Sequence, residues 1–93
     1  MLFMIVEKFR PGVADQIYQR VAERGRMIPP GLEYLDSWVT LDVSRCFQLM
    51  RTNRRELLGQ WMEAWGDLVE FEVIEVQTSA EAAGQSRPSV STR

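Results

Sequence analysis

The period of the hydrophobic residues changes repeatedly along the chain, and this limits the fold more than any other feature. Residues 2–9 are rich in β-branched and aromatic side chains and predict a strand. Residues 13–24 carry apolar side chains at helical spacing and predict an amphipathic helix that ends at Gly25. Residues 32–40 and 45–51 predict two strands, and the short turn between them makes these an antiparallel hairpin.

A second helix and a fourth strand complete the pattern. Asn53 and Glu56 have the spacing of a capping box, which predicts a helix that closes at Gly66. The apolar face of this helix is formed by Leu57, Leu58, Trp61, Met62 and Trp65. Residues 69–78 then alternate as a strand. The order β-α-β-β-α-β with right-handed crossovers predicts an α+β ferredoxin-like plait, with sheet order 4-1-3-2 and both helices on one face.

The composition changes sharply after residue 78. Residues 1–78 form the predicted ferredoxin-like domain, whereas 79–93 contain Val90 as their one large aliphatic residue and no aromatic residue. Such a segment buries too little apolar surface to offset the entropy cost of ordering it. We therefore predict that 79–93 is a low-complexity C-terminal tail, with a helical turn after Ser79 as N-cap if a partner orders it.

The residue counts exclude several kinds of chemistry. The chain of 93 residues has no histidine and one cysteine, so it cannot by itself form a His-ligated metal or haem site, a Ser-His dyad or an intrachain disulfide. We predict no metal and no cofactor. A net charge of −2 argues against nucleic acid or an anionic membrane as partner. Residues 1–6 are apolar but lack a preceding basic stretch, so we expect neither a signal peptide nor a membrane span, and a cytoplasmic location.

Clustered arginines raise the question of phosphate or RNA binding. They are Arg20, Arg24, Arg26, Arg51, Arg54 and Arg55. RNA-recognition motifs share the predicted topology, but they carry stacking aromatic residues within a basic consensus on their third strand. Residues 45–51 have one aromatic residue and no such consensus, so we expect no RNA binding.

Large apolar residues occupy both faces of the predicted hairpin. The residues expected to face the helices are Leu35, Val39, Phe47 and Leu49, which leaves Tyr34, Asp36, Trp38, Cys46, Gln48 and Met50 on the other, inner face. A sheet face that exposes Trp38 and Met50 is too apolar for a monomer. We therefore expect a homodimer that forms through the sheet faces.

Three stretches resemble a known family. They are Leu-Asp-Ser-Trp-Val at 35–39, Arg-Cys-Phe-Gln-Leu-Met at 45–50 and Asp-Leu-Val-Glu-Phe-Glu-Val at 67–73. These stretches resemble a family of short bacterial proteins, a domain of unknown function within the dimeric α/β barrel superfamily. The resemblance implies the ferredoxin-like fold and a dimer that pairs as an α/β barrel. It implies no reaction, because the superfamily includes cofactor-free monooxygenases, isomerases, haem enzymes and non-catalytic members.

The candidate pocket lies on the predicted inner face of the sheet. Its residues are Tyr34, Asp36, Trp38, Gln48, Met50, Glu7 and Glu72. An acid that loses water beside aromatic walls has a raised pKa suited to proton transfer. Asp36 is therefore the candidate base, and Tyr34 or Gln48 the candidate donor to an oxyanion. The structural alternative is that Asp36 forms a hydrogen bond across the dimer while the aromatic residues only pack.

Two further arrangements of acids remain open. Glu7 and Glu72 lie on neighbouring predicted strands and could form a carboxylate pair for acid-base chemistry. They could also bind a divalent cation together with Asp36, although no spacing motif supports such a site. The alternative is that at least one of them lies in water near a strand end, which we favour.

Two classes of function fit these observations. We favour a small-molecule binding module, because the chain lacks histidine, the commonest acid-base group. The alternative is a cofactor-independent monooxygenase- or isomerase-like enzyme that acts on a small, partly apolar substrate. Cys46 has no histidine partner and is expected to be a buried, unreactive side chain. Trp61 and Trp65 are expected to belong to the core.

Overall fold

The computed structural model describes residues 1–85, and this range contains four strands and three helices. The strands are β1 (Leu2–Phe9), β2 (Glu33–Val39), β3 (Arg45–Arg51) and β4 (Val69–Val76). The helices are α1 (Ala14–Arg24), α2 (Glu56–Glu63) and α3 (Ser79–Gln85). The predicted order β-α-β-β-α-β is confirmed.

The four strands form one antiparallel sheet in the order β2-β3-β1-β4. This is the predicted order 4-1-3-2 read from the opposite edge, so the ferredoxin-like plait is confirmed. β1 is central and pairs with both β3 and β4, from Leu2 to Lys8 on one side and from Leu2 to Phe9 on the other. β3 is the other central strand, and because β1 and β3 are each paired on both sides, the sheet holds their side chains firmly on both of its faces.

The main core lies between the sheet and the helices. From the sheet, Phe3, Ile5 and Met50 are fully buried. From the helices, Ile17 of α1 and the α2 residues Leu57, Leu58 and Trp61 pack against them. The Trp61 ring also meets Phe71 of β4 edge-on, with ring centroids 5.4 Å apart. The apolar stripes predicted for both helices therefore cover one face of the sheet.

The predicted capping box of the second helix is wrong. α2 begins at Glu56, and the residue before it makes no side-chain capping hydrogen bond. The side-chain oxygen of Asn53 instead accepts from the N-terminal amine of Met1 at 3.4 Å. The buried Thr52 hydroxyl accepts from the backbone N–H of Arg54 at 3.0 Å. A threonine at the strand end therefore organises the entry to the helix, and the asparagine contacts the chain terminus.

A β-bulge in β2 changes which side chains share a face. Tyr34 pairs with Met50, but the next paired residue, Asp36, lies opposite Leu49, so Leu35 is an extra residue in the ladder. Because strand side chains alternate with a period of two, one extra residue turns Tyr34 to the opposite face from Asp36.

We call the side of the sheet that packs against α1 and α2 the helix face, and the other side the open face. The helix face includes Phe3, Ile5, Glu7, Tyr34, Ser37, Cys46, Gln48 and Met50. The open face includes Met4, Val6, Asp36, Trp38, Phe47, Leu49, Glu72 and Ile74. The prediction that Phe47 and Leu49 face the helices, with Tyr34, Cys46, Gln48 and Met50 on the other face, is therefore wrong. Met50 and Gln48 are buried at 0% and 2% exposure because they fill the core under the helices.

The segment after β4 forms the short helix α3 as far as it is described. The Thr78 backbone N–H donates to Glu81 Oε1 at 2.8 Å, and the Glu81 N–H donates to Thr78 Oγ1 at 3.0 Å. This reciprocal pair is a capping box one residue earlier than the expected cap at Ser79. Residues 86–93 of the predicted tail lie outside the described part of the chain. Within residues 1–85, no helix is both long and apolar enough to cross a membrane.

Candidate functional site

A cavity of about 180 Å³ lies on the helix face, between the sheet, α1 and the end of α2. Its apolar walls include Phe9, Ile17, Val21, Trp61, Trp65 and Val69. Its polar lining includes Glu7, Arg26, Ser37 and Gln48. Apolar walls with a few convergent polar groups are the usual composition of a small-molecule site.

Glu7 is the acid of this cavity. It follows the fully buried Ile5 by two positions on β1, so strand alternation turns its side chain toward the helices. Its Oε2 atom is buried and has no hydrogen-bond partner within residues 1–85. Burial raises the pKa of Glu7 from 4.5 to about 7, and the nearby charge of Arg26 opposes part of that rise. Both forms of the carboxyl are therefore populated at neutral pH.

The chain after α1 places Arg26 at the cavity. Gly25 and Met27 on either side have positive φ angles of 68° and 56°, which turns the chain sharply. The Arg26 carbonyl accepts from the indole N–H groups of Trp61 and Trp65, at 3.1 Å and 3.2 Å. These two hydrogen bonds fix the loop to the end of α2 and set the position from which the Arg26 side chain projects.

The guanidinium of Arg26 lies over the sheet. Its Cζ atom is 4.2 Å from the centroid of the Tyr34 ring, and Nη1 makes a long contact of 3.5 Å with Gln48 Oε1. Among the described residues, no carboxylate forms a salt bridge with Arg26. Since Arg26 is exposed yet lines the cavity, it lies where the cavity meets solvent. The cavity thus combines a cation without an ion-pair partner in the described chain and a buried acid oxygen without a hydrogen bond.

Cys46 also lines the cavity, beside Glu7 on the paired strand. Burial raises the pKa of its thiol to about 11, and the charge of Glu7 adds to the rise. The thiolate is the reactive form of cysteine, so this side chain is unreactive at neutral pH. Cys46 is 6% exposed, in keeping with its expected role as a small buried side chain.

The structure divides the predicted pocket residues between the two faces. Glu7 and Gln48 line the helix-face cavity. Tyr34 lies under the Arg26 guanidinium, and its hydroxyl is 2.6 Å from Ser37 Oγ. Met50 is fully buried in the core next to them. These four share a face through the pairing of β1 with β3 and of Tyr34 with Met50, whereas the bulge turns Asp36 and Trp38 to the other face.

The other predicted residues lie on the open face. Asp36 is exposed, and its Oδ1 accepts from the Ser37 backbone N–H at 2.8 Å. Trp38 is 52% exposed. Glu72 pairs with Val6, whereas Glu7 pairs with Phe71, so the two glutamates project to opposite faces and do not form a carboxylate pair. Within residues 1–85 no cluster of three or more His, Cys, Asp or Glu side chains is placed to hold a metal ion.

Sequence reasoning does not identify Arg26 and Ser37 as parts of this site. Arg26 belongs to a set of arginines that suggests only a phosphate contact, and nothing in a single sequence shows that its guanidinium reaches Gln48. The useful signal is an arginine immediately after the helix-ending Gly25, where the chain must turn back toward the sheet. Trp61 and Trp65 lie in the core as predicted, and they are also walls of the cavity.

Fold and cavity together define a small ferredoxin-like protein with a mostly apolar pocket. The family model described as Domain of unknown function (DUF3303) matches residues 1–89, and the chain belongs to this family. No curated protein is significantly similar to the chain. Among solved structures, the chain is similar to the crystal structure of a candidate antibiotic biosynthesis monooxygenase from Deinococcus radiodurans, with a TM-score of 0.46 and 13% identity over 85% of this chain and 95% of that one. Similarity at this level gives no information about activity.

Proposed function

We propose that this protein is a homodimeric binding module for a small, mostly apolar molecule that occupies the helix-face cavity. The observation that carries the proposal is the buried Oε2 atom of Glu7, which lacks a partner in the described chain and lies at a cavity with indole walls. Leaving a buried polar atom unpaired costs about 1–3 kcal/mol, and native proteins rarely retain such atoms without a reason. A ligand that supplies the missing hydrogen bond is a sufficient reason.

The size of the cavity limits the ligand. Apolar protein cavities of about 150 Å³ bind benzene, and this one measures about 180 Å³. Pockets for drug-sized molecules are larger, at roughly 300–1,000 Å³. The ligand is therefore a single-ring compound or an aliphatic molecule of similar size.

The second part of the proposal is that a second copy of the chain covers the open face. This face presents Trp38 and Ile74 at 52% and 41% exposure, with Phe47 and Leu49 between them partly exposed. At one end, a broad depression of about 550 Å³ is lined by both basic and acidic side chains, namely Lys8, Arg45, Glu70 and Glu72. A two-fold dimer needs a self-complementary surface, and an apolar centre with both charge signs at its rim meets that need.

Binding is tested with single-ring probes and a variant that fills the cavity. Toluene and phenol are titrated into the full chain while the indole N–H signals of Trp61 and Trp65 are followed by NMR. Val21→Phe places a ring inside the cavity and should weaken binding at least about tenfold, because the occupied volume excludes the probe. Ala22 is exposed on the same helix, so Ala22→Phe is the control and should bind the probes as tightly as wild type does. Equal binding by wild type and Val21→Phe would contradict the proposal.

An enzyme built on the same cavity is the second candidate. The observation that favours it is the pKa of Glu7 at about 7, which suits a group that accepts and returns a proton at neutral pH. Glu7 then replaces Asp36 as the candidate base, because Asp36 lies in water on the open face. The arrangement uses only side chains of this chain and corresponds to cofactor-independent proton transfer.

A further inference from the structure

The cavity contains two polar groups that need different partners. Glu7 Oε2 is buried without a hydrogen bond from the described residues. Arg26 has guanidinium N–H groups beyond the one that contacts Gln48, and it forms no salt bridge with any carboxylate in residues 1–85, Glu7 included. Both side chains line the same cavity. A ligand that satisfies both must accept a hydrogen bond on one side and donate one on the other.

We propose that the ligand carries an ionisable hydroxyl group, a phenol or an enol, whose oxygen lies between Glu7 and Arg26. The O–H donates to the Glu7 carboxylate, and the same oxygen accepts from the Arg26 guanidinium. The ring or apolar remainder lies against Trp61 and Trp65. This inference rests on the proposed function, because it requires the cavity to bind a small molecule.

Other classes of polar group satisfy the cavity less well. A ligand carboxylate would pair with Arg26, but it would fit only the protonated form of Glu7 and would be repelled by the ionised form, whereas a hydroxyl fits both forms. An ammonium group would pair with Glu7 but would be repelled by Arg26. A hydrocarbon would leave both groups as they are. A hydroxyl is neutral and provides one donor and two acceptor sites, which matches one acid and one guanidinium.

Proton sharing within this arrangement is balanced without a further reactant. The ligand O–H bond breaks, the proton forms an O–H bond with the Glu7 carboxylate, and the electron pair remains on the ligand oxygen. The resulting oxyanion lies beside the Arg26 cation, which stabilises it. The complex therefore holds one proton shared between Glu7 and the ligand.

Few other groups complicate this proton balance. The titratable and charged side chains that share the cavity with Glu7 are Arg26 from the loop after α1, Tyr18 from α1 and Cys46, which lies beside Glu7 on β3. Trp61, Trp65 and Val69, which also line the cavity, do not titrate. Because burial raises the pKa of Cys46 to about 11, that thiol stays neutral near pH 7.

The test uses para-nitrophenol, whose phenol and phenolate forms absorb at different wavelengths, with nitrobenzene as the analogue without a hydroxyl. Wild type should bind para-nitrophenol at least about tenfold more tightly than nitrobenzene, since two charge-assisted hydrogen bonds depend on the hydroxyl. Affinity should peak between the pKa of Glu7, which is about 7, and the pKa of the dye, because the complex holds one proton between these two groups. Absorbance and calorimetric titrations across pH give both quantities.

Two variants with matched controls assign the effect to residues. Glu7→Gln should replace the peak by a steady rise of affinity with pH, because an amide cannot take the proton but can donate to the phenolate. Glu63→Gln, at an exposed position at the end of α2, should keep the wild-type profile. Arg26→Met should weaken binding at least about tenfold and shift the bound dye to its neutral form. Arg24→Met, in the exposed last turn of α1, should change neither.

The outcomes separate this inference from the proposed function. If nitrobenzene and para-nitrophenol bind equally, or if Glu7→Gln and Arg26→Met leave the affinity and the pH profile unchanged, the hydroxyl inference is wrong while cavity binding stands. If neither compound binds to folded wild type, both proposals fail. Either variant alone suffices for the test if the other does not fold.

Discussion

The two faces of the sheet depart from the usual pattern in opposite directions. The helix face is buried, yet it contains Glu7 and the amide of Gln48 among its apolar residues. The open face meets solvent, yet its centre is apolar, with Trp38 52% exposed. An antiparallel sheet covered on one side normally has apolar residues inside and polar residues outside. The unpaired acid is unfavourable in the unliganded chain and the exposed apolar centre is unfavourable in a monomer, and these are the two features on which the proposed ligand and the proposed dimer rest.

Arg20 and Arg26 both lie beside aromatic rings, but only Arg20 is paired with a carboxylate in the described chain. Arg20 lies over the Trp65 ring and also binds Asp67 through two hydrogen bonds of 2.8 Å and 2.7 Å. This guanidinium lowers the pKa of Asp67 to about 2. Arg26 lies over Tyr34, but no carboxylate in the described chain pairs with it. Arg20 has a structural partner already, whereas Arg26 can offer its charge to a ligand.

The largest expected effect is the loss of stability on removing Trp61 of α2, compared with removing Trp38 of the open face. Trp61→Ala should lower the free energy of unfolding by about 3–5 kcal/mol, the usual cost of removing a large buried ring. Trp61 is 3% exposed and holds the Arg26 carbonyl through its indole N–H. Trp38→Ala should cost less than about 1 kcal/mol in the monomer, because surface substitutions rarely cost more. Urea unfolding at several protein concentrations measures both, and equal costs in the monomer would remove the distinction between the faces.

The next effect concerns the pH dependence of stability. Burial raises the pKa of Glu7 from 4.5 to about 7, so between these values the folded chain keeps a proton that the unfolded chain has lost. The stabilisation of the folded state by this retained proton is therefore fully present below pH 4.5 and is lost as the pH rises to about 7. At about 1.4 kcal/mol per pH unit, the free energy of unfolding should fall by about 3 kcal/mol over this range.

Glu7→Gln removes this dependence. The variant should be more stable than wild type above pH 7, and its unfolding free energy should be flatter across the acidic range. Glu63→Gln, at an exposed position at the end of α2, is the control and should follow the wild-type curve. Parallel curves for Glu7→Gln and wild type, from thermal unfolding at matched buffers, would show that Glu7 is not desolvated.

A smaller effect tests whether a second copy of the chain covers the open face. Trp38→Glu should weaken the dimer by at least about tenfold, or about 1.4 kcal/mol, because a carboxylate placed in the apolar interface loses its water without a partner. Light scattering over a dilution series should show about twice the chain mass for wild type and a single chain mass for the variant. Asp36→Asn retains a polar side chain on the same face and serves as the control. A wild-type chain that is monomeric at all concentrations would contradict the dimer.

The smallest effect concerns a pair of charges at the edge of the sheet. Glu33 and Arg51 form an ion pair at 3.0 Å with both side chains more than half exposed. Pairs of this kind contribute about 0–1 kcal/mol because water screens them. Glu33→Gln should therefore change the urea midpoint by very little. A large loss would mean that this exposed pair contributes to the monomer fold itself.

The fold is predictable from the sequence because its signals are local and repeated. The four strands and two long helices follow from changes in hydrophobic period, and the sheet order follows from the handedness of crossovers. The start of α2 is harder to predict, because two neighbouring side chains can organise the turn before it. The Thr52 hydroxyl donates to the Gly31 carbonyl at 2.8 Å and accepts from the Arg54 N–H at 3.0 Å, in place of an Asn53 cap.

The site is only partly predictable, for a physical reason. Glu7 and Gln48 are identifiable as candidates because they are polar residues within apolar strands. The face of Gln48 is inferred from its partners in β2, and it is assigned wrongly because the bulge at Leu35 shifts that register by one residue and leaves no clear mark in the sequence. The role of Arg26 depends on a tertiary contact, the anchoring of its carbonyl by two indole N–H groups from a distant part of the chain.

The most direct test of the difference between the two faces is to locate a bound single-ring ligand on one of them. Intermolecular nuclear Overhauser effects are measured between para-nitrophenol and the full chain. We predict contacts with the indole rings of Trp61 and Trp65 and with the Val21 methyl groups, all of which line the helix-face cavity. Contacts confined to Trp38 and Phe47 would place the ligand on the open face and would contradict binding under the helices.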